Sequence, residues 1–375
     1  MKYAGPIIDC DVHHRWKSEA ELVGYLPQHW REYVEHGQLA LEPATIHYPF
    51  PFGTNKRLDT FPDDGPPGSD YELLRRQLLD RFNIERAVLS FDVGQEVAHS
   101  NSYFATALAR AQNDWSLERW LTGFDDRLYG AVLVCAQLPD EAAAEIRRVG
   151  GHPRMVEVLL ADNGLGLPLG HPVYHPIYDA AAELDLPIAI HFGSAIWGGG
   201  HGQMSAGGFP MTRLEYYSVL NQPGQHHVAS FISNGVFEKF PGLRLVMLEC
   251  GINWAPWLIW GLDAHYRELR RESQWVKRTP SEYFQEHVWL STQPIEPGDR
   301  PEDTRALLES FEGLEDKLCF ATDYPHWDSD EEDFVVRHLP PAWVPKVFHA
   351  NALNLYRFES AAPRRGGQLE SARGA

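Results

Sequence analysis

Near the start of the chain, Ile7-Ile8-Asp9-Cys10-Asp11-Val12-His13-His14 spaces two carboxylates and an imidazole two residues apart. Near its other end, Ala321-Thr322-Asp323-Tyr324-Pro325-His326-Trp327-Asp328 supplies a further carboxylate and imidazole behind an apolar run. In an extended strand, alternate side chains share a face, so Asp9, Asp11 and His13 are expected to project together. Such a group is costly to bury unless something positive lies between its members, and a divalent cation meets that need. The bland alternative, an exposed edge strand with a wet polar side, loses ground once the distant Asp323 segment is placed beside it.

Those side chains need elements to bring them together. Apolar and β-branched runs bounded by Gly and Pro predict strands at 7–14, 86–92, 128–135, 155–160, 186–191, 243–250, 287–292 and 317–322. Helices are predicted over about 70–82, 100–119, 139–149, 173–184, up to about 239, through Trp254, Trp257 and Trp260, and over about 343–356. Eight strands, each followed by a helical segment, predict a (β/α)8 TIM barrel within the α/β class. A doubly wound sheet is the runner-up, but no G-x-G-x-x-G follows the first strand and no P-loop lysine motif occurs. The predicted domain is a single barrel over 1–360. A long Pro- and aromatic-rich insertion at 15–70 is read as a lid or subunit contact with one helix near 18–33, and a disordered tail follows at 361–375. A glycine-rich excursion spans 198–208.

Barrel enzymes take their reactive groups from the carboxyl ends of strands. Those ends carry Asp11 and His13, His191, Glu249 and Asp323, five metal-competent residues. Each also has a modest reading: His191 as a hydrogen-bonded core histidine, Glu249 as an arginine partner, Asp323 as a turn cap. Jointly they favour a metal centre. His14 lies on the opposite strand face and is assigned a structural role. His326 is a candidate for orienting a ligand or for acid–base work, His227 for packing or substrate contact, and His201 for reaching the mouth if its loop folds over. Trp197, Trp254, Trp257 and Trp327 are expected around an apolar substrate chamber, and Arg213 and Arg244 are candidates for holding a substrate carboxylate.

With 375 residues, 43% hydrophobic and 12% aromatic, the chain can bury a large core. Its formal net charge of −19 argues against nucleic acid or an anionic membrane as partner. No run of about 18 apolar residues and no secretory leader is visible, which points to a cytoplasmic protein. Cys10, Cys135, Cys250 and Cys319 form no CxxC and are read as buried reduced thiols. The expected partners are a small-molecule substrate and further copies of the chain in a homo-oligomer.

The Asp-x-Asp-x-His start, His191-Phe192-Gly193, Pro241-Gly242-Leu243-Arg244 leading to Glu249-Cys250-Gly251, and Thr322-Asp323-Tyr324-Pro325-His326 resemble the amidohydrolase-2 branch of the metal-dependent amidohydrolase superfamily. The likeness runs from residue 7 to about 357. It implies a (β/α)8 barrel with one or two divalent metals at its mouth. It also implies hydrolysis or nonoxidative decarboxylation of small carboxylated or aromatic substrates. Two departures stand out: Asp11 replaces the first histidine of the family's usual His-x-His, and Glu249 stands where the sixth strand often ends in histidine. Carried over, the ligand set is Asp11, His13, His191, Glu249 and Asp323. Three carboxylates with two imidazoles suit iron or manganese. The set is similar to that of dinuclear non-haem iron oxygenases, including a hydroxylase offshoot of this superfamily. The leading expectation is therefore an O2-dependent hydroxylase (monooxygenase) with a diiron or iron/manganese centre, in which Asp323, His326 and Glu249 are the catalytic candidates. The alternatives are a zinc-type hydrolase or nonoxidative decarboxylase, in which Asp323 would double as general base, and a barrel serving only as scaffold.

Overall fold

The computed structural model describes residues 3–38, 40–41, 55–91, 97–161, 164–191 and 210–358. The expectations for Trp197, His201, the glycine-rich excursion and the tail lie outside these residues. Eight strands form one sheet in sequential order, every neighbouring pair parallel. They are β1 (Ile7–His14), β2 (Ile84–Phe91), β3 (Leu128–Leu133), β4 (Met155–Leu160), β5 (Ile188–His191), β6 (Leu245–Leu248), β7 (Val288–Ser291) and β8 (Leu318–Cys319). Helices cover the outer face, so the strands are buried on both sides and read as nearly continuous apolar runs. All four cysteines are buried, and none forms a disulfide among the described residues.

The cylinder closes between β8 and β1 although β8 is only two residues long. The Cys10 N–H donates to Phe320 O at 2.9 Å, the Asp323 N–H to Asp11 O at 3.1 Å, and the His13 N–H to Tyr324 O at 2.8 Å. This seam sets side by side the two segments singled out from opposite ends of the chain.

The expectation that Asp9 shares a face with Asp11 and His13 is corrected here. Along β1 the register advances from Asp9 to Val12 while β2 advances only from Ala87 to Leu89, an irregularity that breaks the two-residue alternation. Asp9 turns toward Thr322 instead, and Asp11 and His13 reach the centre.

Helix boundaries differ where proline or glycine intervenes. The helix expected near 18–33 is two, Glu19–Val23 and Gln28–Glu35, divided at Pro27, which has no N–H to continue the ladder. The run expected up to 239 is divided into Arg213–Val219, Gln222–Ser233 and Val236–Lys239; Pro223 lies in the first turn of the second, and Gly235 at φ +69° precedes the third. Pro280–His287 had a legible start in the Thr279/Glu282 capping box. Among the described residues no helix is long and apolar enough to cross a membrane.

Candidate metal centre

Four strands deliver the site. β1 supplies Asp11 and His13, and β5 ends on His191. Glu249 directly follows β6, and Asp323 lies four residues beyond β8. Glu249 (φ 50°) and Asp323 (φ 59°) both hold the left-handed backbone region that non-glycine residues seldom adopt. Such strain persists only where the surroundings impose it, and it clusters at functional sites.

Their donor atoms converge. His13 Nε2 lies 2.7 Å from Asp323 Oδ1 and 3.9 Å from Asp11 Oδ1. His191 Nε2 lies 3.3 Å from Asp11 Oδ2 and 3.6 Å from Glu249 Oε2. His326 Nδ1 lies 2.6 Å from Asp323 Oδ2 and 4.0 Å from Glu249 Oε1. Two overlapping sets each keep their donor atoms within 4.8 Å of one another: Asp11, His13, His191 and Asp323, and His13, Glu249, Asp323 and His326. The structure thus gathers every sequence-derived ligand candidate and adds His326.

The residues fit a divalent cation. Asp11 is buried, yet its Oδ2 has no hydrogen bond of good geometry among the described residues. Its nearest partner is His191 Nε2 at 3.3 Å, and an ion seated between carboxylate and imidazole would satisfy both. Ser90, at the end of β2, organises the same corner. Its hydroxyl donates to Asp11 Oδ1 at 2.6 Å and lies 2.9 Å from His13 Nδ1. With that single proton given to Asp11, Ser90 accepts from His13 Nδ1–H, and the lone pair of His13 Nε2 is left for the centre. Ser90 was missed because serine at a strand end is unremarkable in sequence; reading the end of β2 as the other strand ends were read would have found it.

Protons do part of a cation's work in this structure. Burial opposes ionisation of Asp11, but the His191 and His13 imidazoles outweigh it and hold its carboxyl well below the usual range. His191, despite burial, is pushed up to about 10 by Asp11 and then by Glu249 and Asp323. Burial and neighbouring carboxylates raise Glu249 and Asp323 well above the normal carboxylate range.

Other candidates fall elsewhere. His14 bonds to Ser90 O at 2.7 Å and Ser116 Oγ at 2.8 Å among Phe91, Trp115 and Trp120, a structural role. His227 accepts the Leu169 N–H at 3.1 Å, and burial pushes its imidazole down to about 3, so it packs as a neutral ring. Arg244 precedes β6, at the opposite end from the site, and pairs with Asp185 Oδ1 at 2.9 Å, which removes it as a substrate anchor. Arg213 opens the helix 213–219 and its charge acts on Tyr216. Of the tryptophans, Trp254 is buried with its indole N–H donating to Cys250 O and Gly251 O, and Trp257 is 70% exposed on its helix. Trp327 remains beside the site, its indole N–H donating to Tyr217 Oη at 3.1 Å. The insertion returns here too: Trp327 N–H donates to Asn55 O at 2.8 Å, Arg57 N–H to Pro325 O at 3.1 Å, and Asn55 Nδ2 stands 3.4 Å from His326 Nε2.

A sequence model of the amidohydrolase family (Amidohydro_2) matches residues 8–358. The chain is 24% identical over 310 residues to gamma-resorcylate decarboxylase of Rhodococcus jostii (strain RHA1), covering 77% of this chain and 88% of that protein. Among solved structures, 5-carboxyvanillate decarboxylase of Novosphingobium aromaticivorans, in complex with manganese and 4-hydroxy-3-methoxy-5-nitrobenzoic acid, aligns with a TM-score of 0.65 at 18% identity, covering 94% of this chain and 96% of that one. The 2,6-dihydroxybenzoate decarboxylase from Rhizobium aligns at 0.63 and 19%, covering 93% and 98%. These structural likenesses establish the (β/α)8 barrel.

Proposed function

We propose that this chain, which belongs to the amidohydrolase family, is a divalent-metal-dependent decarboxylase acting nonoxidatively on a hydroxylated aromatic carboxylic acid. The observation that carries this is the convergence of Asp11, His13, His191 and Asp323, whose donor atoms all lie within 4.8 Å of one another. The relatives favour one among the chemistries such a centre could perform. Those named above are decarboxylases, and one binds manganese, which supports the decarboxylase alternative over O2-dependent hydroxylation and manganese over iron. Tyr216, Tyr217 and Trp327 beside Glu249 suit an aromatic ring.

When bound, the cation would supply a Lewis-acid anchor for anionic substrate oxygens. The chain's own residues do the rest. Loss of CO2 leaves the C–C bonding pair on a ring carbon, which must take up one proton. His326, hydrogen-bonded through Nδ1 to Asp323 and buried to 6% exposure, is the group we assign to deliver it. Glu249, whose carboxyl burial raises, lies at the same centre and would contact a substrate oxygen there. Asp11, His13, Glu249, Asp323 and His326 are buried and His191 is partly so, which limits the water that would compete for these contacts.

The test uses Mn2+-loaded protein under argon with carboxyl-13C-labelled 2,6-dihydroxybenzoate and 5-carboxyvanillate, read as 13CO2 by mass spectrometry. Release under argon that chelation stops is the expected result. Oxygen uptake with a hydroxylated product, and no CO2 under argon, would overturn it.

A further inference from the structure

Asp9 opens the Asp-x-Asp-x-His run but contributes no donor atom to the metal-competent sets. It is completely buried, and its carboxylate makes three contacts. Oδ2 accepts the Thr322 hydroxyl at 2.6 Å, and Oδ1 accepts the Thr322 N–H at 3.0 Å and the Asp11 N–H at 3.3 Å. Thr322 Oγ1 in turn accepts the Tyr324 N–H at 3.2 Å. One carboxylate thus engages the backbone of Asp11 directly and, through one hydroxyl, both neighbours of Asp323.

The geometry points to Asp9 as a positioning residue that fixes the spacing between Asp11 and Asp323 through Thr322. Thr322 lies 313 positions from Asp9 along the chain, so this contact, with the seam's backbone bonds, is what registers one end of the polypeptide against the other. β8 ends at Cys319, and residues 320–323 continue to the site beyond any regular strand. Asp323 sits there at φ 59°, a conformation that needs outside support. Asp9 and Thr322 provide it on both flanks, as partners behind a ligand commonly do. Asp9 neither touches the cation nor the substrate; it acts through Asp323 and Asp11. This role rests on the metal centre of the proposed function but not on the reaction.

The test is Mn2+ affinity without substrate, from the electron paramagnetic resonance signal of free Mn2+, in Asp9→Ala, Thr322→Val, the double variant and Thr322→Ser, with circular dichroism for folding. Asp9→Ala and Thr322→Val are each expected to weaken Mn2+ binding about 10- to 100-fold. The double variant should lose little more than the worse single one, because the two side chains act as a unit. Thr322→Ser, which keeps the hydroxyl, should restore binding to near the parent's. A purely structural role would lower the melting temperature and leave the Mn2+ affinity of the folded fraction within about threefold of the parent, and that result overturns the proposal. Should Asp9→Ala not fold, the Thr322→Val and Thr322→Ser pair decides alone. A parent that binds Mn2+ but releases no CO2 would defeat the decarboxylase proposal and leave this readout standing.

Discussion

Asp323 joins both metal-competent sets, hydrogen-bonding His13 on one oxygen and His326 on the other. Replacing it by Asn keeps the shape and removes the charge. Asp323→Asn is expected to weaken Mn2+ binding more than the roughly 100-fold that loss of an outer partner costs, and to stop turnover; titration calorimetry checks the first. A second carboxyl, Glu157 on β4, is fully buried with the Tyr356 hydroxyl as its polar neighbour. Burial pushes it up to about 8. An acid raised in the folded state stabilises the fold fully below its unfolded value, and that stability is lost as pH rises from there to about 8. The slope is about 1.4 kcal/mol per pH unit. Glu157→Gln, which cannot ionise, should therefore gain melting temperature relative to the parent at pH 8 and lose that advantage at pH 5. Asp11, His191 and Asp323 were legible in sequence because strand ends are where barrels keep reactive groups. The direction of Asp9 was not, because it depends on a register irregularity against β2 that no local pattern encodes.

Elements position these residues with small margins. The Arg15 N–H donates to Gly68 O at 3.0 Å, which ties the returning insertion to the end of β1. Gly68 has φ +81°, and a Cβ there would stand 3.0 Å from the His13 carbonyl oxygen. Gly68→Ala should therefore cost on the order of 1–2 kcal/mol for its left-handed backbone alone, seen as a lower urea midpoint, and should weaken Mn2+ binding by displacing His13. Strands and their order were legible because buried parallel strands are apolar runs of the right length. The π-helical turns at Arg75–Leu79, Leu117–Leu121 and Lys346–Ala350 were not, since they extend ordinary helical periodicity and their hydrogen-bond shift has no residue signature. The contact of Asn55 and Arg57 with the loop after β8 was equally invisible, because it joins segments far apart in sequence.

At the scale of the whole molecule, the formal charge of −19 and a mouth crowded with carboxylates would make a bound cation part of the fold's stability as well as its chemistry. Donor atoms from β1, β5 and the segment after β8 meet there, so an ion held by them would tie distant parts of the cylinder together. At a free Mn2+ concentration about 100 times its dissociation constant, the stabilisation should be about 2.7 kcal/mol, seen as a drop in melting temperature on chelation. The most direct test of the account is anomalous scattering from manganese in crystals grown with 4-hydroxy-3-methoxy-5-nitrobenzoic acid. The account predicts one strong peak bonded by Asp11, His13, His191 and Asp323, with the compound's anionic oxygens on the same ion. Manganese absent from that position, or bound elsewhere while those four side chains remain paired with one another, would contradict it.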